Sequence, residues 1–569
     1  MKKEEFQPDW FEGKLPAKSF RSIFKWGGPD EYKRPNKRLY KLMKETFGLD
    51  DEYFRHPRLQ GFEEVKDEIK PKLSMEIINE LEQICGKGQI AADTYTRLSV
   101  SYGKTMIDLM RLRRGIVENI PDLVVYPGDK KQVGEIVELC VKNKIPLYVY
   151  GGGSSVTRGT EAMKGGITID TRRNFNKILE LNEENQTATV QPGISGPRLE
   201  NQLQKACQLF GAERNYTCGH FPQSFEYSAV GGWVTTRGAG QNSTYYGKIE
   251  DIVLCQEYAT PRGIIKTKPF PAKATGPDID QIMMGGEGAF GVLTEVTLKI
   301  KRHQPKNTKY FSYIFPDWEK ARNAVREIMQ SENGVPSVCR LSDPEETDVA
   351  LKLYGVEVTP LENIIARAGL KQNRRCLFLG TTDGGKAYSR MVKRNVSKIC
   401  RKNKGLNTTA YVAKKWEHGR FRDPYLREDL EDFDILIDTL ECTVNWANLE
   451  HVHQFVRAYC KSRPQTICMT HMSHCYPQGC NLYFIFIGRF AEIGEYLEYH
   501  RGILDAIRDS GATMSHHHGI GKMFAPWLPG QIGENEYEIF RTLKKHFDPD
   551  NLMNPGGTLG FDLPPEDFR

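Results

Sequence analysis

Three observations predict an α+β protein with more than one domain. The chain has 569 residues, more than one small core accommodates. From Pro121 onward, short apolar runs alternate with an amphipathic stretch in β-α-β order, and after a polar break at Lys301 to Asn307 a second set of strand and helix patterns begins. Hydrophobic residues make up 39% of the chain and aromatics 10%, enough for folded cores.

Residues 1–115 read as helix and loop, with Leu, Ile and Met at helical spacing over Arg38 to Phe47 and Met75 to Cys85. Leu123 to Pro127 is a short buried strand, Lys131 to Asn143 an amphipathic helix and Pro146 to Tyr150 the next strand. Further strands are expected at Gly166 to Asp170, Gln186 to Val190 and Leu293 to Ile300. Beyond the break, Lys309 to Phe315, Trp318 to Met329, Cys376 to Gly380 and Ala387 to Lys402 suggest a second α+β unit, with Ile435 to Val444 and Asn481 to Ile487 as further strands. The turn-rich tail from Asp548 is expected to dock on the first unit. The reading gives four segments: a helical region at 1–115, a ligand-binding unit at 116–303, a cap at 304–509 and a C-terminal stretch at 510–569.

Charge and composition narrow the function. A net charge of +6, with basic residues spread among acidic ones, argues against nucleic acid but is compatible with small anions or an anionic membrane surface. Met1 to Lys18 is charged and lacks the apolar centre of a signal peptide, and no apolar run is long enough to span a bilayer. Thirteen cysteines without paired spacings fit a reducing compartment. Cys460, Cys468, Cys475 and Cys480 lie close in sequence, but no CxxC pair occurs among them, so they read as packing thiols.

Three glycine-rich loops carry the strongest ligand signal. Val149-Tyr150-Gly151-Gly152-Gly153-Ser154-Ser155 ends a strand, and consecutive glycines let backbone N–H groups converge on a phosphate. Gln223-Ser224-Phe225-Glu226-Tyr227-Ser228-Ala229, followed by Thr236-Arg237-Gly238-Ala239, forms a second small-residue region. Glu287-Gly288-Ala289-Phe290-Gly291-Val292-Leu293 forms a third, running into a strand. The first loop is neither the GxGxxG fingerprint of a Rossmann site nor a P-loop. Together the loops suit a long cofactor with a pyrophosphate. The other dense signal is Ser515-His516-His517-His518-Gly519, three of thirteen histidines in a row, suited to proton transfer, a metal or an anionic substrate. Were this run extended, His516 and His518 would face one way and His517 the other.

Together with Gln191-Pro192-Gly193, Gly247 to Val253 and Thr260 to Gly263, these loops resemble the vanillyl-alcohol-oxidase-type FAD-binding domain over roughly residues 118–302. The resemblance implies a two-subdomain FAD-binding fold with an α+β cap. It implies FAD, with its pyrophosphate on the 149–155 and 223–229 loops and the rest of the cofactor near 236–239 and 287–293. Ser154 stands where many relatives carry the histidine that attaches FAD, so the cofactor is expected to be non-covalent. Gln223 replaces a usual aspartate and Ala229 a common threonine.

Within that superfamily, Tyr95-Thr96-Arg97, Ser337 to Leu341, Gly479 to Phe484 and Ser515 to Lys522 resemble the alkyldihydroxyacetonephosphate synthase family, over about residues 90–555. That family exchanges the acyl chain of acyl-dihydroxyacetone phosphate for a long-chain alcohol, the ether-forming step of ether-lipid synthesis. The resemblance implies that Tyr483 is the catalytic proton donor and acceptor and that His516, His517 and His518 are its active-site triplet. It further implies that Arg427 binds the substrate phosphate, with Arg340 and His220 as further substrate contacts. Oxidised FAD would take part as an electrophile without net oxidation. A cytoplasmic homodimer working peripherally at a membrane surface is expected, and the C-terminal Asp567-Phe568-Arg569 is no peroxisomal signal.

The alternative is an FAD-linked 2-hydroxy-acid dehydrogenase of the D-lactate or glycolate type. Those enzymes commonly carry Gly-Asp-Gly-Asn-Leu-His and Glu-His-Gly-Ile-Gly. Here Tyr483 replaces the histidine and His517 the glutamate, so that metal-ligand pattern is lost and no metal is expected. A non-catalytic flavin- or lipid-binding protein is a third reading, disfavoured by Tyr483 and the histidines.

Overall fold

The protein is described from a computed structural model that covers residues 6–8, 10, 14–28, 31–355 and 360–562. Four sheets organise these residues. In the first, Leu123–Val125, Ile167–Asp170 and Leu147–Tyr150 run parallel, with Ile90–Ala91 added antiparallel at the edge. All residues of Leu123–Val125 and Ile167–Asp170 are buried, as befits a parallel sheet covered on both faces. The helix Lys130–Asn143 crosses over between the first strand and Leu147–Tyr150; Asp129 caps its start by accepting from the Gln132 N–H, and Lys144 ends it in a left-handed conformation.

The second sheet is antiparallel, in the order Ile178–Asn182, Thr187–Val190, Val292–Lys299, Val253–Thr260 and Gly263–Lys266. The two sheets have separate cores, one around Leu123, Ile136 and Ile167, the other around Val190, Val230 and Leu298. A small third sheet pairs Tyr216–Thr217 with Lys301–Arg302.

The fourth and largest sheet has seven antiparallel strands, ordered Leu406–Asn407, Lys309–Phe315, Cys376–Thr382, Val338–Ser342, Ile467–Ser473, Gly479–Arg489 and Ile435–Asn445. Its strands alternate between two faces. Leu482, Phe484 and Phe486 enter a core shared with the helices Trp318–Met329, Leu449–Ser462 and Ile493–Asp509, whereas Tyr483 and Ile485 face a cavity. Cys460, Cys468, Cys475 and Cys480 all belong to that core as free thiols.

Both ends of the described chain return to these units. The backbone of Leu147 bonds to Leu552 and Asn554, and the N–H of Lys522 donates to the Thr157 carbonyl. A Cβ on Gly521, whose φ is +52°, would overlap that carbonyl, so only glycine allows so close a pass. At the other end, Arg21 of the short helix Phe20–Phe24 is 2% exposed and donates to Asp432 (2.8 and 2.9 Å) and Asp429 (3.1 Å). It thereby anchors the helix Leu426–Glu431, which carries Arg427. Among the described residues no helix is long and apolar enough to cross a membrane.

Removing one partner of a buried ion pair strands the other charge. Arg21→Ala is therefore expected to lower unfolding free energy by about 3 kcal/mol, read from urea midpoints, while Lys41→Ala at an exposed pair should change it by under about 0.5 kcal/mol.

Candidate active site

One large cavity lies where the glycine loops meet the seven-stranded sheet. Its floor is the first glycine loop. Among the described residues, the backbone N–H groups of Gly152, Gly153, Ser154, Ser155 and Val156 donate to no protein acceptor. A Cβ on Gly152 would overlap the Tyr227 carbonyl, which is how closely the 151–155 and 223–229 loops approach. Gly232 also lines the cavity, and a Cβ there would meet no protein atom but project into the open space. A run of free donors on a glycine cradle fits the pyrophosphate of a dinucleotide cofactor.

Several loop residues foreseen as cofactor contacts do line the space: Val149, Gly151 to Ser155, Gln223, Ser224 and Ala229, then Thr236, Gly238, Ala239 and Glu287. Others do not. Tyr150 lies beneath the loop under the Arg172 guanidinium, and Ser228 accepts a hydrogen bond from the Trp233 indole at 2.8 Å. Glu226 accepts from the Tyr425 hydroxyl at 2.7 Å, and Tyr227 packs edge-on against Trp26. Phe225 stacks on Phe421, and Arg237 bonds to Gln281 at the surface. Gly288 to Leu293 lie behind the wall, where Ala289, Phe290, Val292 and Leu293 are buried in core packing. The pattern has a plain cause: a loop presents alternate groups, and only those on its inner side reach the ligand.

The opposite wall carries a cluster of titratable side chains. Tyr483 on Gly479–Arg489 pairs across the sheet with Glu441 on one side and His471 on the other. Its hydroxyl lies 3.1 Å from His518 Nε2 and accepts from the Thr439 hydroxyl at 3.4 Å. The His471 ring stacks on Tyr483 with centroids 5.0 Å apart. Burial raises the Tyr483 pKa to about 12, and burial likewise holds His518 below its ordinary value, with Glu441 and Asp438 opposing the drop. At neutral pH the tyrosine therefore keeps its proton and donates it to a neutral imidazole.

Glu441 shapes the triplet. Its carboxylate, 1% exposed, accepts from the backbone N–H of His516 (2.9 Å), His517 (3.0 Å) and His518 (3.2 Å), from the Ser515 hydroxyl (3.2 Å) and from the Asn481 amide (2.6 Å). The chain curls around this carboxylate and is not extended, so the alternation that an extended run would give does not arise. His517 and His518 both face the cavity, and His516 turns away from it. His516 Nδ1 lies 3.0 Å from His517 Nδ1, and its Nε2 lies 2.7 Å from the Tyr476 hydroxyl. The ligand atoms of Glu441, His517 and His518 are close enough to surround a cation. The donors already on the carboxylate, however, occupy the lone pairs that a metal would need.

The three remaining foreseen residues also reach the cavity. Arg427 is buried, donating to the Lys104 carbonyl (2.9 Å) and to Asp438 (3.3 Å). Arg340 bonds to Glu346 (2.6 Å) and His471 (3.0 Å). His220 is fully buried with neither ring nitrogen bonded to protein, and burial lowers its pKa to about 3. Sequence reasoning missed Asp438, Thr439, Glu441, His471 and His474, along with Trp416 and Arg420. The signal for Asp438 and Glu441 was there: two carboxylates inside an otherwise uncharged strand.

Comparison with known proteins fits this geometry. Residues 121–268 match the FAD binding domain family, and residues 304–558 match the FAD linked oxidases, C-terminal domain. The alkyldihydroxyacetonephosphate synthase of Dictyostelium discoideum is 32% identical over 505 residues, covering 85% of this chain and 81% of the relative. The chain belongs to the alkyldihydroxyacetonephosphate synthase family. A solved alkyldihydroxyacetonephosphate synthase superposes with a TM-score of 0.78 at 25% identity, covering 96% of this chain and all of the other. The 4-ethylphenol oxidase of Gulosibacter chungangensis, at 15% identity and a TM-score of 0.64 over 88% of this chain, shares the fold alone. The fold is the vanillyl-alcohol-oxidase type, as the resemblance implied, and the cofactor of this synthase-family enzyme is FAD.

Glu287 joins the third glycine loop to the segment after the triplet, accepting from the N–H groups of Ile520 (2.7 Å) and Gly521 (2.9 Å). Burial raises its pKa to about 7 despite those donors. A carboxyl raised in the folded state contributes stability that is fully present below its unfolded value and is lost as pH rises through the folded one. The stability of wild type relative to Glu287→Gln should therefore fall by up to about 3 kcal/mol between pH 4.5 and 7, then level off, in paired urea titrations.

Proposed function

We propose that this protein is an FAD-dependent alkyldihydroxyacetonephosphate synthase, exchanging the acyl chain of acyl-dihydroxyacetone phosphate for a long-chain alcohol. The observation that carries the reading is the 3.1 Å contact between the Tyr483 hydroxyl and His518 Nε2 inside the cavity that holds the glycine cradle. Gly152 to Val156 would hold the FAD pyrophosphate. The cofactor, non-covalently bound, supplies an electrophile beside the substrate carbon, with no net oxidation.

The protein's own groups then handle binding and protons. Arg427 would bind the phosphate of the substrate, with Arg340 and His220 as further substrate contacts in the same cavity. His518 is the base that draws the proton from Tyr483, so the tyrosine oxygen can take a proton from the substrate carbon and later return one to the departing or entering oxygen. Glu441, whose Oε1 lies 3.7 Å from His518 Nδ1, stabilises the imidazolium that this transfer creates. His517, His516 and Tyr476 form a second chain of titratable groups leading away from the cavity. In this reading the FAD-binding unit is 116–303, the cap 304–509, and 510–569 brings the triplet to their junction. The enzyme works peripherally at a cytoplasmic membrane surface, where both lipid substrates reside, and acts as a homodimer.

The test supplies purified protein with acyl-dihydroxyacetone phosphate and a labelled long-chain alcohol. Labelled ether should form without consumption of an electron acceptor. Reduction of an acceptor by D-lactate or glycolate, with no ether, would replace this reading by the dehydrogenase. Tyr483→Phe should stay yellow with bound flavin yet lose at least about a hundredfold in rate, the usual contribution of a positioned acid–base group.

A further inference from the structure

The proposed reaction leaves one proton over. The bond between the substrate carbon and the acyl oxygen breaks, the acyl group departs with the electron pair as a carboxylate, and the alcohol oxygen takes its place on the carbon. A carboxyl group with an ordinary pKa of about 4 stays ionised at neutral pH, so the hydroxyl proton of the alcohol has to reach the solvent once per turnover. Tyr483 and His518 can pass that proton between them, but both must be neutral again before the next cycle. The cavity therefore needs a way out for a proton.

One continuous path leads outward. His517 lines the cavity beside Tyr483, with ring centroids 6.0 Å apart, and its Nε2 bonds to no protein group among the described residues. Its Nδ1 lies 3.0 Å from Nδ1 of His516, whose Nε2 lies 2.7 Å from the Tyr476 hydroxyl. Each imidazole can thus take a proton on one nitrogen and release one from the other, and a hydroxyl can do both on the same oxygen. Tyr476 is half-buried, and Glu250 is the charge that acts on it most strongly. Glu250 pairs through Oε1 with Lys248 at 3.1 Å, and its Oε2 has no hydrogen-bond partner.

The path is held in place from several sides. Glu441 fixes the backbone N–H groups of His516 and His517, and Lys248 Nζ donates to the His516 carbonyl at 2.6 Å. The His474 ring stacks on His516 with centroids 5.1 Å apart, and its own Nδ1 lies 2.7 Å from the Ser243 hydroxyl. Burial first, then the neighbouring His474, His518 and Lys248, hold both rings well below the ordinary imidazole value, so a proton crosses them without resting there. We propose that His517, His516 and Tyr476 are the proton exit of the active site, carrying the proton of the alcohol from the cavity to Glu250 and the solvent. The inference rests on the synthase reading for the source of that proton.

The experiment uses the FAD-loaded enzyme and its Tyr476→Phe and Glu250→Gln variants, assayed for ether formation in weak buffer with and without added imidazole. Tyr476→Phe should keep wild-type flavin content and KM for both substrates while kcat falls at least about tenfold, a modest share of what a positioned proton-transfer group contributes. Imidazole, as a diffusible proton carrier, should restore that rate saturably and leave the wild type unchanged. Glu250→Gln should show the same rescue with a smaller loss, and it carries the test should Tyr476→Phe not fold. A wild-type kcat in Tyr476→Phe would overturn the proposal, as would a loss that imidazole does not restore, which would give the hydroxyl a structural role alone. If the wild type itself forms no ether, the synthase reading falls and the exit falls with it, an outcome read on the wild type before any variant is compared.

Discussion

The site depends on one buried carboxylate. Glu441 sits in the interior of Ile435–Asn445, directly across the ladder from Tyr483, and it gathers the N–H groups of three consecutive histidines. A charge this deeply buried persists only with strong hydrogen-bond donors, and a peptide loop supplies them most compactly. The consequence is geometric. Curling the backbone around an oxygen points His517 and His518 to the same side, toward the tyrosine on the neighbouring strand, and sends His516 behind them. The functional constellation is thus imposed by the solvation demand of a single residue.

Burial then sets the protonation states. The same low polarity that pushes Tyr483 up to about 12 holds His517 and His518 below the ordinary imidazole value. Both partners of the Tyr483–His518 contact are therefore neutral at pH 7, with the proton on the tyrosine oxygen. Charges enter the cavity mainly on arginines, and two of the three are matched by carboxylates. The glycine loops contribute peptide dipoles, the seven-stranded sheet contributes side chains, and the segment after the triplet is held between them through Glu287 on one flank and Glu441 on the other.

Much of the fold was legible in the sequence because it follows local patterns. The strand expected at Leu123 to Pro127 is Leu123–Val125, the helix expected from Lys131 is Lys130–Asn143, and Ile435 to Val444 is Ile435–Asn445. Apolar periodicity and caps decide such elements over a few residues. Tyr483 and the triplet were legible as motifs, but the path of the triplet was not, because the carboxylate that bends it lies 75 residues away. The division of each glycine loop into lining and packing residues was hidden for the same reason: it is set by which flank the neighbouring loop covers. Arg420 had no signal at all, since nothing in Ala410–Gly419 tells that the next residue is buried among aromatic rings.

The most direct test of the account is the turnover of Glu441→Gln, measured together with its flavin content. The amide keeps the shape of the carboxylate but cannot accept three N–H groups or stabilise the imidazolium. The account predicts full flavin binding with ether formation reduced at least about a hundredfold, in keeping with the loss of one partner from a buried charged network. Turnover close to that of the wild type, with the flavin in place, would contradict it.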